Sequence, residues 1–91
     1  MADVAKHVIF LGRVQGVGFR FTARRIAGRY ELAGFVRNQP NGTVEMLVQG
    51  SIEDVANCLR DIDEAFAGYI RDTQIENVPP NAGYSAFEIT F

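Results

Sequence analysis

Tryptophan is absent from these 91 residues, and cysteine and histidine occur once each, as Cys58 and His7. A lone cysteine closes no internal disulfide, and one cysteine with one histidine makes no ligand cluster of the kind that holds zinc. The same scarcity removes the usual nucleophile-and-base pairs, because a serine or cysteine nucleophile needs a partner base and His7 is the only imidazole. No apolar stretch approaches the roughly 20 residues that span a bilayer. The opening Met-Ala-Asp-Val-Ala-Lys-His lacks the charged-then-apolar layout of a secretory signal. These absences lead us to expect a cytoplasmic protein without membrane contact, metal or cofactor, whose chemistry rests on charge and positioning.

What is present is ordinary globular material, 47% hydrophobic and 22% charged, which excludes disordered or collagen-like chains. At this length one domain over residues 1–91 is expected, with one core. The net charge of −2 conceals an uneven distribution. Between Arg13 and Arg37 six arginines face one acid, Glu31, giving +5, while the rest of the chain carries −7. Such asymmetry can focus an anionic ligand. For Arg24, Arg25 and Arg29 a solvated helix face is an equally good explanation.

Periodicity gives the element order. Val4 to Leu11 is β-branched and apolar, which predicts a strand ending near Val14. Phe19, Ala23, Ile26 and Tyr30 then fall at helical spacing. Ala33 to Gln39 and Thr43 to Gln49 form a hairpin around Pro40-Asn41-Gly42. Ser51 opens a second helix with a capping-box pattern to Asp54, and its apolar stripe is Ile52, Val55, Leu59, Ile62 and Phe66, stopped at Gly68. Cys58 lies beside that stripe as a partly buried structural thiol. Arg71 to Val78 and Tyr84 to Phe91 are extended, with Phe87, Ile89 and Phe91 alternating onto one face. The order β-α-β-β-α-β with an extra C-terminal strand predicts a ferredoxin-like α/β sandwich, its two helices covering one face of a mainly antiparallel sheet.

The segment Gly12-Arg13-Val14-Gln15-Gly16-Val17-Gly18-Phe19-Arg20 joins the first strand to the first helix. Glycines allow a tight turn with converging amides, and a helix N-terminus adds unpaired N–H groups and partial positive charge, a combination that suits phosphate. Arg20, in the first helical turn, adds a planar fork able to grip two oxygens of a tetrahedral anion. Neither the Gly-Lys-Ser/Thr of nucleotide phosphate loops nor the Gly-x-Gly-x-x-Gly dinucleotide pattern is present.

This segment resembles the first signature of the acylphosphatase family through Gly12, Val14-Gln15-Gly16-Val17 and Phe19-Arg20. Gly34-Phe35-Val36-Arg37-Asn38 with Gly42, Val44 and a closing Gly50 is similar to its second signature, and Phe87-Glu88-Ile89 matches its ending. Two positions depart from the pattern. Phe10 stands where a branched aliphatic is more usual, and Gln39 stands where many relatives carry a hydroxyl residue beside Asn38. The resemblance implies metal-independent hydrolysis of acyl phosphates to a carboxylate and inorganic phosphate, the latter also a competitive inhibitor. It implies that Arg20 and the amides of Gln15, Gly16, Val17, Gly18, Phe19 and Arg20 hold the phosphoryl group, that Asn38 orients the attacking water, and that no covalent intermediate forms. A freestanding monomeric enzyme is expected, although a similar domain also occurs fused at the front of a larger carbamoyl-transferring protein.

Two readings from other classes compete. An RNA-recognition module shares the element order, but the third strand has no aromatic residue for stacking and the net charge disfavours a polyanion, so no nucleic-acid partner is expected. A noncatalytic phosphate- or anion-sensing module would keep the loop and do no chemistry. His7 reads as a strand residue packed against neighbours, and Asn41-Gly42-Thr43, although a glycosylation sequon, reads as a hairpin tip.

Overall fold

A computed structural model describes residues 3–91. Val4–Gly12 forms β1, Phe19–Arg29 α1, Ala33–Asn38 β2, Val44–Gly50 β3, Ile52–Ala65 α2, Ile70–Val78 β4 and Phe87–Ile89 β5. The strands join one sheet in the order β4-β1-β3-β2-β5. All neighbours pair antiparallel except β2 and the added β5, which run parallel. The architecture is the expected ferredoxin-like sandwich.

Strand alternation sets which face is covered. Val8 and Val36 both register against Met46, so the three side chains stand on one face of the pleat, all fully buried. From α1, Phe19, Ala23, Ile26 and Ala27 meet this face, and from α2, Val55, Cys58 and Ile62 do so. The helical stripes and the strand alternation therefore converge on one hydrophobic cluster.

Several expectations need correction. Ile52 is 58% exposed, because it is the first residue of α2 and the seam against the sheet begins one turn later at Val55. Cys58 lies within that seam and is fully buried, with burial and, secondarily, the Asp61 charge pushing its thiol up to about 12. Phe91 does not join Phe87 in the core. β5 ends at Ile89, the Thr90 N–H makes a last bond to the Val36 carbonyl at 2.9 Å, and Phe91 stands 98% exposed. The first strand stops at Gly12 rather than near Val14.

On the uncovered face the His7 Nε2 meets Glu45 at 2.7 Å, and Arg37 pairs with the other carboxylate oxygen. Partial burial pushes the Glu45 carboxyl up, but the hydrogen bonds from His7 and Arg37 outweigh it and hold the group below its usual range.

Gly34 of β2 pairs with Val48 of β3. Its φ is 137°, and a Cβ there would overlap the Leu47 carbonyl. Since the obstacle is backbone inside a paired ladder, it cannot swing aside. Gly34→Ala is expected to destabilise the fold by about 3 kcal/mol, measured as a lower urea midpoint with an unchanged slope.

Candidate active site

The turn from β1 into α1 is built on glycine conformations. Gly16 and Gly18 hold φ of 76° and 77°, in the left-handed region that glycine enters without a Cβ penalty. Nothing lies within 4 Å of where a Cβ would stand at either position. These glycines therefore serve backbone direction rather than close packing.

Gly18 is the N-cap of α1, and no side chain caps the helix. The Thr22 N–H closes the first turn on the Gly18 carbonyl at 3.1 Å. Among the described residues, no turn or cap hydrogen bond uses the N–H of Gln15, Gly16, Val17, Gly18, Phe19 or Arg20 as donor. Backbone donors at the positive end of a helix that lack a protein acceptor are the groups an anion satisfies. The helix start is held in place from below, since the Phe19 ring packs 4.8 Å from Phe10 and 4.4 Å from Phe66, centroid to centroid.

Arg20 is the second residue of α1. It is half-buried, and among the described residues no carboxylate stands within ion-pair distance of it. Its guanidinium carbon lies 5.3 Å from the Phe91 ring centroid, a contact that supports the side chain without neutralising its charge. Asn38 ends β2 in register with Val44, so it points to the helix-covered face, where α1 begins. Gly16, Gly18, Phe19, Arg20 and Asn38 line one cleft of about 130 Å³, closed by Val14 and Phe21. Two segments 18 positions apart in the chain, at Arg20 and Asn38, thus meet at a single small cavity.

The side chains of Gln15 and Val17 lie elsewhere. The Gln15 amide donates to the carbonyls of Gln39 at 2.8 Å and Thr43 at 2.9 Å, which ties the loop to the hairpin that carries Asn38. Val17 packs against the core. Sequence reasoning assigns neither role, and it also misses Phe21 and Phe91 beside Arg20. The Gln15 bonds run to backbone carbonyls, which carry no residue-type signal.

The arginine excess does not converge as a whole. Arg24, Arg25 and Arg29 are exposed, Arg13 lies over the Tyr69 ring at 5.9 Å, and Arg37 is held by Glu45. Arg20 is the arginine that lines the cleft. Among the described residues no three His, Cys, Asp or Glu side chains gather into a metal-binding group, and no helix is long and apolar enough to cross a membrane.

The acylphosphatase family model matches residues 6–89. An acylphosphatase of Bacillus licheniformis is 34% identical over 85 residues, covering 92% of this chain and 94% of the relative. The crystal structure of acylphosphatase from Bacillus subtilis superposes with a TM-score of 0.89 at 29% identity, covering 97% of this chain and 99% of that one. A full-length HypF in its phosphate- and nucleotide-bound form matches 99% of this chain with only 12% of its own length, with a TM-score of 0.85 at 28% identity. The family model, the full-length relative and the shared fold agree, and the chain belongs to the acylphosphatase family of enzymes.

Proposed function

We propose that the chain hydrolyses acyl phosphates to a carboxylate and inorganic phosphate without a metal ion, using the cleft between the β1–α1 turn and the end of β2. The observation that carries this reading is that Arg20, Asn38 and the glycine turn line the same cavity. The amides from Gln15 to Arg20 and the Arg20 guanidinium hold the phosphoryl oxygens, and Asn38 holds a water in line with the phosphorus–oxygen bond to be broken. Water attacks phosphorus, that bond breaks, and its electron pair leaves with the carboxylate. The carboxylate is a good leaving group, so the protein needs to supply positioning and charge stabilisation rather than a strong acid or base.

The placement of His7 supports this division of labour. It stands on the uncovered face of the sheet, engaged with Glu45, and the cleft opens on the other face. The water proton passes instead to a phosphate oxygen of the substrate. The same reading takes residues 1–91 as one unit of the family, monomeric and cytoplasmic, with inorganic phosphate as product and competitive inhibitor.

The test supplies benzoyl phosphate in excess chelator and follows the loss of its ultraviolet absorbance. The account expects saturable hydrolysis that the chelator does not reduce. Folded protein that leaves the substrate intact would establish a noncatalytic anion-binding module instead.

A further inference from the structure

The cleft, at about 130 Å³, is small beside the roughly 300–1,000 Å³ of sites that enclose a whole organic ligand, so it takes the phosphoryl group and the attacking water while a bulky acyl group extends beyond it. Beside it is a second and larger cavity of about 440 Å³, and the two share Arg20 and Phe21 as a common wall. This volume falls in the range that holds small organic ligands.

Beyond Arg20, the second cavity offers the apolar side chains Phe21, Ile89 and Phe91. Phe21 projects from α1 two residues after the buried Phe19 and is 70% exposed, and Phe91 is 98% exposed. Ile89, the last residue of β5, is half-buried against the core. Two fully formed aromatic side chains held in water flank the one arginine that lines the phosphate cleft. The buried faces of α1 and β5 do not need them. Arg24 and Glu88 complete the walls and oppose one another in charge, while Arg20 sits at the boundary with the phosphate cleft, so the apolar occupant is met by the two rings and Ile89.

We propose that the Phe21–Ile89–Phe91 groove is the acyl subsite, which selects acyl phosphates carrying an aromatic or bulky apolar acyl group over acetyl phosphate. The inference rests on the acyl-phosphate reading above and adds the substrate class. A planar acyl group leaving the Arg20 site passes Phe21 directly and meets Phe91 at its far side, where ring-on-ring and ring-edge contacts are favourable. An acetyl group carries no ring and little apolar surface with which to meet either one. These contacts form away from the reacting atoms and act in ground and transition state alike, so they lower KM more than they raise kcat.

The experiment measures kcat and KM for benzoyl phosphate and acetyl phosphate with the wild type, Phe21→Ala and Phe91→Ala, and the inhibition constant of inorganic phosphate for each. Both residues are exposed, so the variants retain the core. Because Phe21 also lines the phosphate cleft and Phe91 contacts the Arg20 guanidinium, the phosphate inhibition constant measures any damage to the cleft. Such damage lowers kcat/KM for both substrates alike and cancels in their ratio. Each variant should lower the ratio of benzoyl to acetyl kcat/KM by about tenfold, the scale of losing one apolar contact surface in a specificity pocket, mainly through a higher KM for benzoyl phosphate. Phe21→Leu should recover part of the loss. An unchanged ratio in both variants, or an equal loss on both substrates, would overturn the subsite while leaving the acyl-phosphate reading in place. A wild type that hydrolyses neither substrate would overturn that reading, and the subsite with it.

Discussion

Arg20→Gln should reduce kcat/KM for an acyl phosphate by at least about 10³-fold and should also abolish inhibition by inorganic phosphate. A single preorganised donor aimed at developing charge is worth on the order of 10²–10³ in rate. Arg20 provides more than one donor and a full charge, in a cleft that no carboxylate among the described residues neutralises. Glutamine keeps a hydrogen-bonding amide and much of the length but loses the charge and the fork geometry. Because the guanidinium contacts phosphate before and during reaction, both the binding of product and the rate must fall. The side chain is half-buried and contacts Phe91 rather than the core, so the variant should fold normally. Steady-state kinetics with phosphate as inhibitor, alongside a thermal melt, separates lost chemistry from lost structure.

Asn38→Ala should behave differently. A loss of about 10²–10³ in kcat is expected, with KM and the phosphate inhibition constant little changed, because an amide that aims water acts in the transition state more than in the ground state. Asn38 sits at the end of β2, on the far wall of the cleft from α1, and it contributes nothing to the amide cradle. Phosphate inhibition that persists in Asn38→Ala and disappears in Arg20→Gln is the signature of the two roles. Equal loss of phosphate affinity in both variants would contradict them.

Much of this site is legible in the amino-acid sequence. Asn38 enters only through the resemblance to the family's second signature, whereas the glycine turn and the arginine in the first helical turn form one contiguous pattern that turn chemistry reports. The fold is legible for a similar reason. Val8, Phe10, Met46 and Val48 alternate cleanly, and Val55, Leu59 and Ile62 recur at helical spacing, so each element announces its buried face. Pattern misleads where an element ends. Ile52 continues the α2 stripe on paper, yet a stripe says nothing about where the opposing sheet begins, and the residue is exposed. Phe91 continues the β5 alternation, but pairing with β2 runs out after Ile89.

Long-range ties are the least visible. The Gln15 side chain joins the turn to the hairpin through two backbone carbonyls, and a backbone acceptor leaves no trace in residue type. The glutamine at position 39, whose identity departs from the family pattern, takes part in that tie through its carbonyl, which any residue would provide. The grouping of Phe21 with Phe91 likewise depends on α1 packing beside β5, a tertiary fact that neither segment encodes alone.

The most direct measurement is a titration of the isotopically labelled protein with inorganic phosphate, followed by its backbone amide resonances. Saturable shifts should concentrate on Gln15 to Arg20, with a dissociation constant equal to the kinetic inhibition constant, and should vanish in Arg20→Gln. Saturable shifts centred on other cationic positions such as Arg60 or Arg71, with the β1–α1 turn unmoved while catalysis is inhibited, would show that phosphate is held elsewhere and that the turn is structural.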